Sequence, residues 1–524
     1  MDAIGKDAAM EMDVLFRWIR FLPLIFLVGM LPPSAGAASS PKISPRLRHR
    51  LADYPAWPVI LLCRTQLFEG PGGFSEFQRK HRSRPRSAIR ETTLARLKEI
   101  AAAEQKAVLR ALGNPEQAES LWIVNAVGLT LNRAGVERAA SLDEVAYIYA
   151  DRSAPSRNSA GGTVAEVIRP ESPAPFSPEG KRIAGYLKAI QASRVWRKLK
   201  IAGEGTVVAL FDSGADYRHP DLRNRVWTNP GEVADNGKDD DGNGLVDDFY
   251  GYDFATGSPR VLAREKQGHG TWTGGLIAGD GSAGRVTGVA PRTRLMLLIG
   301  PGSFCHAARV FEYALESGAD VLNMSFSWPG LGQERGLIRR MCEHAVAAGL
   351  VPVSGAGNFG KGGGNPAPIP VQLRVPEGIP CVIAAGGVTG KGHPPPFASQ
   401  GPVEWAQIRF YEDHPLPGGL VKPDICAFPG PGYALLDHSG KGYIAPNHRI
   451  GGNSFSGAMV SGVVALMLSA APELPAWRVK EILEETARPL GSPRKNNRTG
   501  SGLVDAWKAV RAAKKAASTF AEHE

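Results

Sequence analysis

Along the chain, the spacing of apolar residues shifts from helical to strand-like and then to short buried runs. ETTLARLKEIAAAEQKAVLRAL (Glu91–Leu112) sets Leu94, Leu97, Ile100, Val108 and Leu109 at helical intervals. LWIVNAVGLTL (Leu121–Leu131) reads as a strand, a short helix ends at Ala140, and EVAYIYA (Glu144–Ala150) reads as a second strand. This predicts a small α+β unit over residues 91–153. Residues 39–90 before it are rich in Pro, Arg and Gly and predict a poorly ordered basic lead-in. Within them, WPVILLC (Trp57–Cys63) is either a strand or an apolar segment. The Pro-, Ser- and Gly-rich stretch 154–180 predicts a linker.

From 181 to 515 the pattern becomes short apolar runs alternating with helices: GTVVALFDSG, RLMLLIG, VLNMSFS, VPVSGAGN and PCVIAAGGV among the strands. Runs without in/out alternation belong to a parallel sheet covered on both faces. The expected fold is therefore α/β, a doubly wound and mostly parallel sheet, with the α+β unit ahead of it and a short tail over 516–524. In such sheets the working loops follow the carboxyl ends of the strands.

Composition narrows the class. With 43% hydrophobic and 21% charged residues the 524-residue chain is globular, not disordered. The formal charge of +10 lies largely in FQRKHRSRPRSAIR (Phe77–Arg90) and RPLGSPRKNNR (Arg488–Arg498). Neither interleaves the aromatic residues that a stacking platform needs, so both read as solvated charge and no nucleic-acid partner is expected. Arg17 and Arg20 precede an apolar run from Phe21 to Leu31 and the small residues Ala35-Gly36-Ala37. That is the layout of an export signal over 1–38, with Met12 an alternative start, and it predicts a secreted or periplasmic protein. Membrane attachment is expected only if that segment stays uncleaved. Five cysteines lack metal-ligand spacing and, being odd in number, cannot all pair internally; Cys342–Cys381 is one open pairing.

Four polar residues stand where a doubly wound sheet places chemistry. Asp212 ends the first strand, His269 opens a helix of small residues, Asn358 follows VPVSGAG, and Ser454 opens the helix NSFSGAMVSGVVALML. Singly, each has an ordinary reading; a Ser before an apolar run is usually an N-cap. Together, VVALFDSGADYRHPDL, GHGTWTGGLIAG, SGAGNFG and GGNSFSGAMVSGVVALM resemble the signature blocks of the subtilisin-like serine proteases (subtilases), in that family's chain order. The resemblance covers about 180–515.

It implies a sheet of subtilisin type and a serine endopeptidase acting on polypeptides. Ser454 would be the nucleophile, His269 its base, Asp212 the orienting carboxylate and Asn358 an oxyanion donor, with no catalytic cofactor. It also implies a first pocket between Ser325-Phe326-Ser327 and Gly355-Ala356-Gly357, where an uncharged side chain is expected. Three residues depart from the family pattern: Trp272, Phe455 and Ala458. The block 91–153 resembles the family's inhibitory propeptides and implies a self-processing zymogen whose own N-terminal module is its inhibitor, cut between about Asp151 and Glu179. In NGKDDDGNGLVDDFYGYDF the residues Asp239, Asp241, Asn243, Asp247 and Asp248 are candidate ligands for a structural Ca2+. The competing reading is a catalytically impaired, peptide-binding protein of the same fold.

Overall fold

The apolar run AWPVILLC organises the N-terminal module as its strand β1 (Ala56–Cys63). β2 (Glu119–Leu121), β3 (Ala126–Asn132) and β4 (Val145–Ala150) complete a sheet in the order β2-β3-β1-β4, with β1 antiparallel to β3 and β4. β1 lacks polar alternation because both its faces are covered. Val59, Leu61 and Cys63 pack with Leu47 and Leu51 of helix α1 (Pro45–Asp53) and with Val136. Ile60 and Leu62 instead join the core of the larger domain.

The expected lead-in over 39–90 is thus corrected. It contains α1, β1, helix α2 (Gly70–Lys80) and the start of helix α3 (Arg86–Ala111). The block 91–153 lacks its second paired strand partner without β1. Part of the basic run also turns inward: Arg86 forms an ion pair with Asp320, and Arg90 donates to the Ala319 carbonyl at 2.9 Å. LWIVNAVGLTL is two strands broken by a 3-10 turn at Trp122–Val124, with Asn125 left-handed at φ 40°. Helix α4 (Arg133–Ser141) follows.

The computed structural model describes residues 40–152, 176–263, 268–300, 302–362, 371–430, 432–438, 442–445 and 450–521. The expected export signal over 1–38 and most of the expected linker over 154–180 lie outside them. Residues 41–524 form one compact unit.

In the larger domain, β5 (Arg182–Ile183) pairs with β8 (Arg285–Val286) beside the main sheet. That sheet comprises β6 (Val207–Phe211), β7 (Gly251–Asp253), β9 (Arg294–Ile299), β10 (Val321–Met324), β11 (Val351–Gly355), β12 (Ile383–Gly387) and β13 (Ile425–Ala427). Its order is β13-β12-β11-β10-β6-β9-β7, with every pairing parallel. Helices α5 (His269–Ala278) and α8 (Asn453–Ala470) pack together on one face. α6 (Phe304–Glu316) and α7 (Glu334–Ala347) lie on the other, toward the module. α8 is apolar on all sides because it is buried on all sides from Phe455 to Leu468. Among the described residues it alone is long and apolar enough to cross a membrane.

The module sits on α6 and α7. Asp151, just after β4, accepts from the Phe304 N–H and the Ser303 hydroxyl, both at 2.6 Å, at the N-terminus of α6. A carboxylate there satisfies orphan amides and meets the positive end of the helix dipole, contributing about 1 kcal/mol. The segment Trp405–Asp413 also packs here: Arg339 of α7 donates two hydrogen bonds of 2.8 Å to Asp413 and lies over the Tyr411 ring. All five cysteines are free, so the Cys342–Cys381 bridge is not formed.

Candidate active site

Adjacent strands β11, β10 and β6 end side by side, and their following loops carry Gly355–Asn358, Ser325–Ser327 and Asp212. Asp212 is 6% exposed. It accepts from the Ser213 N–H at 2.7 Å and the Thr273 hydroxyl at 3.1 Å, the latter one helical turn beyond His269. The His269 Nδ1 lies 2.8 and 2.9 Å from its two oxygens. A carboxylate only accepts, so Nδ1 carries the proton and Nε2 is left as the basic nitrogen.

Burial pushes Asp212 up, but His269 and these hydrogen bonds outweigh it and hold the carboxyl below its ordinary range. Burial likewise lowers His269, and the Asp212 charge and hydrogen bond raise it above the ordinary value. The two shifts describe one charge pair. The helix can start this close to Asp212 because residue 270 is glycine: a Cβ there would stand 2.1 Å from the Gly214 carbonyl oxygen.

Ser454 is not a cap. The N-cap of α8 is Gly452, which has no side chain to cap the helix. The Ser454 hydroxyl donates to the Ser325 carbonyl at 3.1 Å, while the Ser325 hydroxyl donates to the Ser454 carbonyl at 3.2 Å. Among the described residues Ser454 makes no hydrogen bond to His269. Asn358 is oriented from behind: its Oδ1 accepts the Asn453 N–H at 2.9 Å, which turns the NH2 end away from that contact. Asn453 in turn donates its side-chain amide to the Gly357 carbonyl at 2.6 Å. Thr273 and Asn453, which hold this arrangement, sit inside the sequence motifs but carry no signal separating them from packing residues.

The expected pocket walls lie on the loops after β10 and β11. Ser325 and Ala356 are buried, whereas Phe326 and Ser327 are half-buried. Phe326 packs its ring on Phe211 and Trp328, at 4.8 and 5.0 Å. Two of the family departures meet: the Trp272 and Phe455 rings stand edge to face at 6.4 Å. A larger residue on α5 is thus accommodated by an aromatic one on α8.

In the acidic loop, Glu232, Asp239 and Asp241 bring one carboxylate oxygen each within 4.8 Å of one another. Glu232 is 6% exposed and its Oε2 has no partner among the described residues. Sequence reading passed over Glu232, seven positions ahead of the acidic run. Asp247 lies outside this trio, its two oxygens accepting the backbone N–H groups of Asn236 and Gly237 at 2.9 and 3.0 Å. Asn243 uses its Oδ1 on the Leu245 N–H at 2.8 Å, and its amide braces Asp241 and Asp248. Asp248 is buried behind the cluster and pushed up by that burial.

A family model described as "Subtilase family" matches residues 203–502. Subtilisin-like protease 1 of Plasmodium berghei is 26% identical over 325 residues, covering 59% of this chain and 50% of that protein. The major intracellular serine protease of Bacillus subtilis is 31% identical over 209 residues, 39% and 57% of the two chains. Subtilisin E of Bacillus subtilis is 25% identical over 411 residues, 78% and 86% of the two chains. The chain thus spans about half the length of the first two relatives. The chain belongs to the subtilase family.

Proposed function

We propose that Ser454, His269, Asp212 and Asn358 carry out peptide-bond hydrolysis on polypeptides. The Ser454 hydroxyl gives its proton to His269 Nε2 as its oxygen attacks the scissile carbonyl. His269, now cationic against Asp212, then protonates the leaving amine. Water repeats the cycle on the acyl-enzyme: His269 takes its proton, the acid is released, and Ser454 regains its hydrogen. The Asn358 amide and the Ser454 backbone N–H donate to the oxyanion, where the N-terminus of α8 also favours negative charge. This chemistry needs no metal. The observation that carries the reading is the Asp212–His269 contact, which fixes the tautomer a general base requires. A fluorophosphonate should label the wild type and spare Ser454→Ala; a folded wild type that stays unlabelled would overturn the assignment.

Substrate would lie extended between the loops after β10 and β11, adding a strand. One observation favours the competing, impaired reading: the Ser454 hydroxyl is engaged with Ser325 and not with His269. A single χ1 rotation of Ser454 releases it, and the labelling experiment separates the two.

The module acts as an intramolecular inhibitor of a self-processing zymogen. Its seat on α6 and α7, and its position ahead of the linker, support this. It extends over 41–152 and so is wider than 91–153. Self-cleavage falls between about Asp151 and Glu179, and mapping the N-terminus of active protein tests it. Residues 1–38 direct export, on the basis of Arg17, Arg20 and the apolar run after them. The acidic loop holds a structural Ca2+ through Glu232, Asp239 and Asp241. An unpartnered buried carboxylate oxygen and an all-oxygen donor set suit this cation. Bound there, the ion would neutralise the mutual repulsion of the loop.

A further inference from the structure

Behind the first pocket lies a carboxylate that this chemistry does not use. Glu377 is fully buried. Its Oε1 accepts from the Ser327 hydroxyl at 2.8 Å and from the Arg374 N–H at 3.0 Å. Its Oε2 has no partner among the described residues. The opposite wall reaches the same atom: a Cβ on Gly357, which has φ 86°, would stand 3.0 Å from Oε1. One carboxylate oxygen is therefore bonded to Ser327 of one wall and stands close behind Gly357 of the other.

A serine hydroxyl can donate one hydrogen bond and accept others, and left alone it turns to suit its partner. An ionised carboxylate only accepts. Glu377 therefore fixes the direction of the Ser327 proton, inward, and leaves lone pairs of the Ser327 oxygen for whatever enters from the cleft. The nearest cation does not cancel this charge directly. The Arg374 guanidinium lies over the Phe359 ring at 5.0 Å, and Arg374 makes no ion pair with Glu377 among the described residues.

We propose that Glu377 is a specificity-determining residue which holds Ser327 as an acceptor, so that the first pocket selects a side chain ending in a hydrogen-bond donor. The selected residue is the one on the acyl side of the scissile bond, with lysine ahead of glutamine and both ahead of methionine. This rests on the assignment of Ser325–Ser327 and Gly355–Gly357 as pocket walls. It replaces the uncharged preference that the walls alone suggest, because the deciding charge stands behind them. Burial pushes Glu377 up to about 7, against hydrogen bonds from its own N–H, Ser327 and Arg374 and the charge of Arg374. The preference is accordingly read on its alkaline side.

The test is kcat/KM for peptides differing only at that position (Lys, Gln, Met), in unlabelled full-chain wild type, shown to react with fluorophosphonate in a separate sample, and in Glu377→Gln and Ser327→Ala. Within one variant the ratio between substrates cancels any general loss of folded enzyme. The wild type should favour Lys and Gln over Met. Ser327→Ala should lower both ratios about tenfold, the scale of one charge-assisted hydrogen bond. Glu377→Gln should lower the Lys ratio more than the Gln ratio. If Glu377→Gln does not fold, Ser327→Ala alone decides. A wild type that reacts with the probe in the separate sample yet prefers Met, or ratios that neither variant moves, overturns the inference and leaves the protease assignment standing. A wild type that does not react with the probe overturns both.

Discussion

The His344 ring donates its Nδ1 proton to the Ile123 carbonyl at 2.6 Å, joining α7 to the N-terminal module across 221 positions of chain. On the other side of the same residue, the Ile123 N–H donates to Glu312 of α6 at 2.9 Å. One module residue is thus held by an acid and a base from two helices. Burial lowers His344 to about 3, with Arg340 adding to it, and burial raises Glu312 to about 8.

The signs of these shifts oppose one another. The favourable term from Glu312 is complete below its ordinary value near 4.5 and is lost as pH rises through about 8. That from His344 is complete above its ordinary value near 6.5 and is lost as pH falls toward about 3. Docking of the module should therefore be firmest between about 4.5 and 6.5. Hydrogen exchange of the module amides across the pH range checks this. Glu312→Gln should remove the alkaline weakening and leave the acidic one.

Because His269 must be neutral to accept the Ser454 proton, kcat/KM should fall as pH drops through its raised pKa. The acid limb should lie above the ordinary histidine value and shift downward in Asp212→Asn, since the charge that raises His269 is gone. That variant should also lose about 10⁴-fold in kcat, because the imidazole loses its fixed tautomer. An unmoved limb would place the controlling group elsewhere.

Asn358→Ala should lower kcat by about 10²- to 10³-fold with little change in KM, a magnitude borrowed from the corresponding asparagine of subtilisin itself. A donor used only when the oxyanion forms contributes to the transition state and not to the ground state. A rise in KM at constant kcat would instead make Asn358 a substrate-binding group.

Chelation should lower Tm by about 3–4 °C, the scale expected when a ligand contributing about 2–3 kcal/mol is removed from a domain of this size. Glu232→Gln should reduce that difference. A Tm indifferent to chelator in the wild type would leave the acidic loop an arrangement held by hydrogen bonds alone.

What the sequence made legible depends on how local the signal is. The parallel sheet, α5 and α8 were readable because apolar runs and glycine-flanked polar residues lie within a few positions of each other. The module was only half readable: β1 looks like a stray apolar segment until its second face is covered by a domain far along the chain. Arg86 and Arg90 look solvated for the same reason, their partners being Asp320 and the Ala319 carbonyl. Glu377 and Glu232 were missed because each works beside residues of another segment. Trp272 and Phe455 read as two separate departures, and only packing makes them one substitution.

The grip of the module has a further consequence. Arg86, Arg90, Ile123 and Asp151 all precede residue 153, so a break in the linker would remove none of their contacts. If the module is the inhibitor we propose, cutting the chain and uncovering the enzyme are separate events. The first turns an attached segment into a bound ligand, and the second is a dissociation with its own rate. On that proposal a population of cut molecules stays silent, its onset of activity timed by the departure of Ile123 and Asp151 and not by the cut.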